Sequence, residues 1–375
     1  MSIVQRAKNA AIFYKEEFAR ERSKERDTIR GLKSGKPMVS YMGFTGHNNL
    51  GDEILYDAYK ALFPELVLVP FRDSKRMERL AQKHQKPLYV AGFLGGGTLI
   101  NQSTRWLDQI AVLQAQGLPI YCLGTGVTVS DFREKHEKTS MDEWVKTLET
   151  FKQVGVRGPY SKKMLQDAGF KNFVVTGDAA LTLAPAKMTT RPGNKVIGFN
   201  YGLVKQNQIW GDADTYTQNI AKAIKNFIAE GYEIRLLTVW DKDIPSTEAL
   251  LKLVNDPKCT MRLCYKTLEN FNAELAECEY FIGQKLHASI MACMERIPTI
   301  MIEYQPKCRD FMASVDMEDY VIKTSDCTPE GLQKLFKKLE KNAGAIQKTL
   351  DKRVLGYQKI QKQEAAKITK QLLKQ

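Results

Sequence analysis

Residues 37–63 read PMVSYMGFTGHNNLGDEILYDAYKALF: an apolar strand from Pro37 to Phe44, a loop rich in glycine and asparagine, and a helix from Glu53 to Phe63. A strand that ends in glycine and feeds a helix is half of a parallel βαβ unit, because parallel neighbours need a crossover between them. Working outward, the unit repeats. Strands are expected at Leu66–Phe71, Leu88–Phe93, Leu118–Leu123, Gln153–Arg157 and Phe173–Thr176, with helices at Arg105–Gln116 and Ser161–Ala168. Residues 184–194 hold two prolines, two threonines and a glycine and read as a linker. The rhythm then restarts, with strands at Val196–Tyr201, Glu233–Val239, Met261–Cys264, Tyr280–Gly283 and Thr299–Glu303. Helices are expected between them at Asp214–Glu230, Thr247–Val254, Leu268–Ala276 and Lys285–Met294.

This alternation implies an α/β chain of two Rossmann-like domains, each a parallel sheet with helices on both faces, facing across a cleft. Residues 37–185 form the first domain and residues 195–328 the second. Residues 1–36 are an N-terminal helical extension, with Ile3, Ala7, Ala11 and Phe18 at helical spacing and a stop at Gly31 and Gly35-Lys36-Pro37. Residues 329–375 are basic C-terminal helices.

The formal charge of +13 sits at the ends. Residues 1–38 carry 10 Lys/Arg against 5 Asp/Glu, residues 331–375 carry 12 against 3, and the rest carries 34 against 35. A nucleic-acid enzyme would place its basic face on the core, so no nucleic-acid partner is expected. Solvated helices account for such ends; the alternative is a basic surface beside anionic lipid, at roughly 1 kcal/mol per cation. No apolar run reaches the ~20 residues that span a bilayer, and no secretory leader is legible. Seven cysteines without zinc spacing suit the reduced thiols of a cytoplasmic protein, peripheral to the inner membrane face if the basic helices touch lipid.

Several chemistries lack their motifs. The dinucleotide fingerprint fails because Ile100 and Val129 stand where its last glycine belongs. The phosphate loop fails at Asp52, where lysine is required after Gly46 to Gly51. There is no G-x-S-x-G elbow, and four scattered histidines do not build a metal site.

The loops after strands hold the candidates. In Gly43 to Glu53, Asp52 can cap the following helix and Glu53 suits its positive end; the same acids, with Asn49, suit sugar hydroxyls. Gly95-Gly96-Gly97 and Gly124-Thr125-Gly126 add exposed backbone to that floor, and an ordinary βα turn explains each alone. Arg157 at a strand end is an anion fork or a salt bridge, with Ser161 as the next helix's N-cap. Phe281 to Ser289 is the most specific stretch: Lys285, Leu286 and His287 open an apolar helix whose N-terminus favours anions. His287 there can exchange a proton near neutral pH, where a random histidine would be a satisfied core group. Glu303, Lys307 and Arg309 follow the next strand and can reach the same cleft, or form a charged loop.

Taken in order, these pieces resemble the polysaccharide pyruvyl transferase family: Asn48 to Glu53, Gly95 to Gly97, Gly124 to Gly126, Val156-Arg157-Gly158 with Ser161, Thr176-Gly177-Asp178, Lys285-Leu286-His287, Pro298 and Glu303 to Lys307. Lys285 stands where the family typically has arginine, which keeps the charge and loses the bidentate fork. The resemblance implies a GT-B-like fold and transfer of the enolpyruvyl unit of phosphoenolpyruvate to a saccharide, with or without a lipid carrier, as a ketal. Phosphoenolpyruvate is then a co-substrate and no cofactor or metal is expected. On this reading His287 and Arg157 are catalytic, with His287 as the acid. Arg157, Lys285, Leu286, His287, Lys307, Arg309 and Glu303 hold the donor. Asn49, Asp52, Glu53, Gly96, Gly97 and Thr125 face the acceptor, with Asp52 or Glu53 touching sugar or acting as base. The rival is a glycosyltransferase using a nucleotide sugar, with Glu303 on the ribose.

Overall fold

The computed structural model describes residues 22–72, 79, 82–83, 88–128, 139–188, 190–203 and 209–374. Helix α1 spans residues 22–34. Gly31 does not stop it but packs inside it against Met38 and Val67. The earlier positions Ile3, Ala7, Ala11 and Phe18 lie outside the described residues.

The first domain runs β1 (Met38–Met42), α2 (Leu50–Leu62), β2 (Val67–Pro70), β3 (Ala91–Leu94), β4 (Gly97–Ile100), α3 (Thr104–Gln114), β5 (Ile120–Val127), α4 (Met141–Leu148), β6 (Gln153–Val156), α5 (Pro159–Asp167) and β7 (Val174–Val175), then a 3₁₀ turn at Ala179–Leu183. Its strands pair in the order β2-β1-β3-β5-β6-β7, with β4 on β5, and every ladder is parallel. The second domain runs β8 (Val196–Asn200), α6 (Ala213–Ala229), β9 (Glu233–Thr238), α7 (Ile244–Val254), β10 (Cys259–Leu263), α8 (Leu268–Ala276), β11 (Tyr280–Gly283), α9 (Leu286–Met294), β12 (Thr299–Glu303), α10 (Lys307–Ser314) and β13 (Val321–Lys323). Its parallel order is β10-β9-β8-β11-β12-β13. Both orders switch direction beside the first strand of the domain, which places a crevice at the strands' carboxyl ends.

Three local expectations change. Asp52 does not cap α2: Asn49 holds the N-cap position, its side chain accepts from Gly51 N at 3.1 Å, and Asp52 and Glu53 fall in the first turn. Gly124-Thr125-Gly126 is not a loop, because β5 runs through it; the left-handed φ of 71° at Gly124 lets the register against β6 shift there. Ser161 is not an N-cap; α5 starts at Gly158-Pro159, and proline's fixed φ suits the first helical position. Helices α4 and α10 were not expected from the pattern.

One apolar core joins the domains. Tyr41, Ile54 and Tyr59 of the first domain cluster with Leu181, Phe199, Met291 and Phe311. The C-terminal helices do not stand apart from it. Helix α11 (Pro329–Lys341) sets Phe336 against Phe227 at 4.9 Å. Helix α12 (Ala343–Leu372) buries Ile346, Leu350, Val354, Ala365 and Ile368 and returns to the first domain. There Gln361 Nε2 donates to the carbonyls of Thr176 and Asp178 at 3.0 and 2.8 Å, and Gln358 Nε2 to Ala184 O at 2.7 Å. All seven cysteines are buried and free. Among the described residues no helix is long and apolar enough to cross a membrane.

Candidate active site

A cleft of about 1310 Å³ opens between the two sheets. One wall is the loop after β1, the first turn of α2 and the stretch from β4 into α3, residues 97–109. The other is made by the N-termini of α9 and α10 and the loop after β9. The loop after β1 is tied across the cleft end. Leu50 N donates to Val239 O at 2.9 Å, Asn48 Nδ2 to Asp241 Oδ2 at 2.8 Å, and Trp240 Nε1 to His47 O at 3.1 Å.

Lys285 sits at the N-cap of α9, where its backbone N–H donates to Asn200 Oδ1 at 2.9 Å. Its Nζ lies 3.1 Å from Asp243 Oδ1 and stands 5.5 and 5.6 Å from the ring centres of Trp240 and Tyr304. Lys307 opens α10 and shares the Tyr304 ring at 4.9 Å. Neither helix has a side-chain cap; in α10 the Cys308 N–H already donates to Gln305 O at 3.0 Å, and the remaining first-turn N–H groups face an anion site.

His287 lies against the backbone of Gly51. A Cβ at position 51 would stand 2.5 Å from its Nδ1, so only glycine lets α2 and α9 approach this closely. The imidazole Nε2 is buried without a partner among the described residues. Burial first, then the charges of Lys307 and Arg157, push His287 down to about 3. Asp52 lines the same cleft, and burial raises its carboxyl to about 7 against the pull of Lys307. Burial, aided by Lys285 and Arg157, lowers Lys307 to about 8. Near neutral pH the cleft therefore holds a carboxyl and an amine that both exchange protons, beside a neutral imidazole.

Asn49, Asp52, Gly97, Lys285, Leu286, His287 and Lys307 thus meet in one cleft. Six other expected residues do not line it. Arg157 is not an open fork: its side chain is 0% exposed, with Nε 3.2 Å from Asp310 Oδ2 and Nη1 3.9 Å from Asp178 Oδ2. Asp310 also accepts from Tyr160 N, Ser161 N and Ser161 Oγ, so Arg157 clasps the two domains together. Glu303 is 2% exposed and turned to Arg309 at 3.0 Å, and Arg309 also reaches Glu318 at 3.3 Å. Neither is free for a donor. Glu53 bends back to accept from Gly46 N and His47 N at 2.5 and 3.3 Å, which shapes the loop. Gly96 packs under Leu55, and Thr125 is buried inside β5.

A family model described as polysaccharide pyruvyl transferase matches residues 49–306. The chain belongs to the polysaccharide pyruvyl transferase family. A search of the curated proteins finds no match. Among solved structures, a glycosyltransferase from Rickettsia africae is similar at 10% identity and a TM-score of 0.57, over 91% of this chain and 99% of that one. A UDP-GlcNAc 2-epimerase from Neisseria meningitidis, bound to UDP-GlcNAc, is similar at 10% identity and 0.55, over 90% and 100%. MnaA of S. aureus with UDP follows at 11% identity and 0.52, over 82% and 88%. At such identities the likeness is one of fold, the GT-B arrangement of two Rossmann-like domains.

Within this pyruvyl transferase family member, sequence reasoning missed Trp240, Asp243 and Tyr304, which hold Lys285 and Lys307. A signal existed. Trp240 to Asp243 follow β9 as the other site loops follow their strands, and Tyr304 follows β12.

Proposed function

We propose that the chain transfers the pyruvyl unit of phosphoenolpyruvate to two hydroxyls of a saccharide, forming a ketal and releasing phosphate. The C–O bond to phosphate breaks and two C–O bonds to sugar oxygens form. Of the two hydroxyl protons, one replaces the proton delivered to the methylene carbon and the other leaves with phosphate.

The convergence of Asp52, His287, Lys285 and Lys307 carries this reading. Two lysines and two uncapped helix N-termini offer charge and donors to the carboxylate and phosphate of a small dianionic or trianionic donor. Asp52, pushed up to about 7, retains a proton at neutral pH and serves as the acid toward the methylene carbon. His287 is too weakly basic in the free cleft to be that acid. It takes the hydroxyl proton instead. A bound anion offsets the charge of Lys307, which restores basicity to the imidazole at the moment of need. The nucleotide-sugar reading loses its main residue, since Glu303 is occupied by Arg309.

The test is phosphate release from phosphoenolpyruvate in the presence of a panel of saccharides, with the ketal product identified by mass. Release that requires both substrates and falls at least 100-fold in Asp52→Asn and Lys307→Ala is expected, in line with the roughly 10²–10⁴ attributed to general acids. Melting shifts with nucleotide sugars alone, and none with phosphoenolpyruvate, would overturn the proposal.

A further inference from the structure

Helix α12 has two faces with opposite tasks. Its inner face is buried on both domains. Its outer face exposes Lys348, Lys352, Leu355, Lys359, Lys362 and Lys370, with Leu373 at the C-cap. At 3.6 residues per turn these seven positions fall within an arc of about 80° and along about 38 Å. The arc contains no acid. The two acids of α12 lie outside it: Asp351, at its edge, pairs with the buried Arg296 at 3.0 Å, and Glu364 is buried and bound to Lys367. None of the five lysines meets a carboxylate among the described residues, and the two leucines are 38% and 52% exposed.

We propose that this face of α12 docks on an anionic lipid surface. Charge complementarity names an anionic partner, because the stripe gathers five cations while residues 39–330 are nearly neutral. The leucines choose lipid over a dissolved polyanion. Exposed leucines set in register among lysines gain nothing from a polymer in water, whereas at a bilayer they enter the acyl boundary while lysines reach the headgroups. The buried inner face holds the stripe in one helix before it meets the membrane, so little ordering entropy opposes docking. The inference is independent of the reaction in the cleft.

The experiment is co-sedimentation of the full chain with vesicles of phosphatidylcholine alone or mixed with phosphatidylglycerol. Binding to the mixed vesicles only is expected, weakening as ionic strength rises. Each lysine near such a surface changes partition about five-fold. The variant Lys352→Gln, Lys359→Gln, Lys362→Gln, Lys370→Gln should therefore bind two to three orders of magnitude less, with an unchanged melting temperature. A second variant, Leu355→Ser with Leu373→Ser, should bind vesicles several-fold less and heparin as before. No binding of the parent chain to mixed vesicles overturns the proposal. So does lysine-variant binding equal to the parent's, which would place the contact elsewhere. Leucine changes that leave vesicle binding untouched would assign the stripe to a dissolved polyanion and also overturn it.

Discussion

Asp52→Asn should stabilise the protein while disabling it, and the gain should depend on pH. Burial raises the Asp52 carboxyl from 3.8 to about 7 in the folded chain. Between those values the folded state holds a proton that the unfolded chain has released. Stability therefore falls as pH rises through this window and levels off above pH 7. At about 1.4 kcal/mol per decade, the cost at pH 8 is about 4 kcal/mol, of which about 3 accrues above pH 5. Asparagine mimics the protonated acid and does not titrate, so the variant escapes the cost. Lys307 loses a counter-charge in the variant, which takes back part of the gain, so these are upper values. For a chain of this length 1 kcal/mol moves the melting temperature by about 1–2 °C. The variant should melt with the parent chain near pH 4 and about 5 °C above it at pH 8, with turnover reduced at least about 100-fold. The assay is a melting series of both proteins from pH 4 to pH 8 in one buffer system of constant ionic strength. A difference that does not grow with pH, or a variant less stable at pH 8, would refute the claim that the folded cleft holds Asp52 protonated.

Gly51→Ala places a methyl 2.5 Å from His287 Nδ1, so the ring must move; a stability loss of about 1–3 kcal/mol with a larger loss of turnover is expected by denaturant titration and kinetics. Arg157→Ala leaves Asp310 and Asp178 buried without their cation and should cost about 3–5 kcal/mol in urea unfolding. Its damage should appear in stability before it appears in donor affinity. His287 should remain neutral down to about pH 3 in the free protein, and phosphoenolpyruvate should raise that value, both read from imidazole carbon shifts by NMR. A donor-saturated protein with an unmoved His287 would separate the imidazole from the anion site.

The plan of two parallel α/β sheets was legible because every parallel strand must be followed by a crossover, and the chain marks most strand ends with glycine. Lys285 and His287 were legible for the same reason: they follow β11 directly, at the start of an apolar helix. Arg157 misled because a cation after a strand looks the same whether it faces a ligand or a carboxylate on a distant helix; Asp310 is its partner 153 positions later. Glu303 and Arg309 are six apart and pair with each other, which a list of cleft candidates cannot show. Thr125 was misplaced because glycines that usually end a strand here let β5 bend and continue. The protonated state of Asp52 was not legible at all, since it depends on how closely α2 packs against α9. In α12, Gln358, Gln361 and Glu364 look like solvent-facing residues and are buried because they meet polar groups of another domain.

The route of α12 has a consequence for synthesis. The carbonyls of Thr176, Asp178 and Ala184 find their donors on Gln358 and Gln361, residues made 174 to 185 positions later. Until those residues leave the ribosome, the first domain carries an open seam of unpaired carbonyls and apolar side chains, although most of its sheet is already outside. Its nascent form should bind chaperones and yield to proteases for as long as the second domain is being made, and a chain stopped before residue 358 should stay in that vulnerable state.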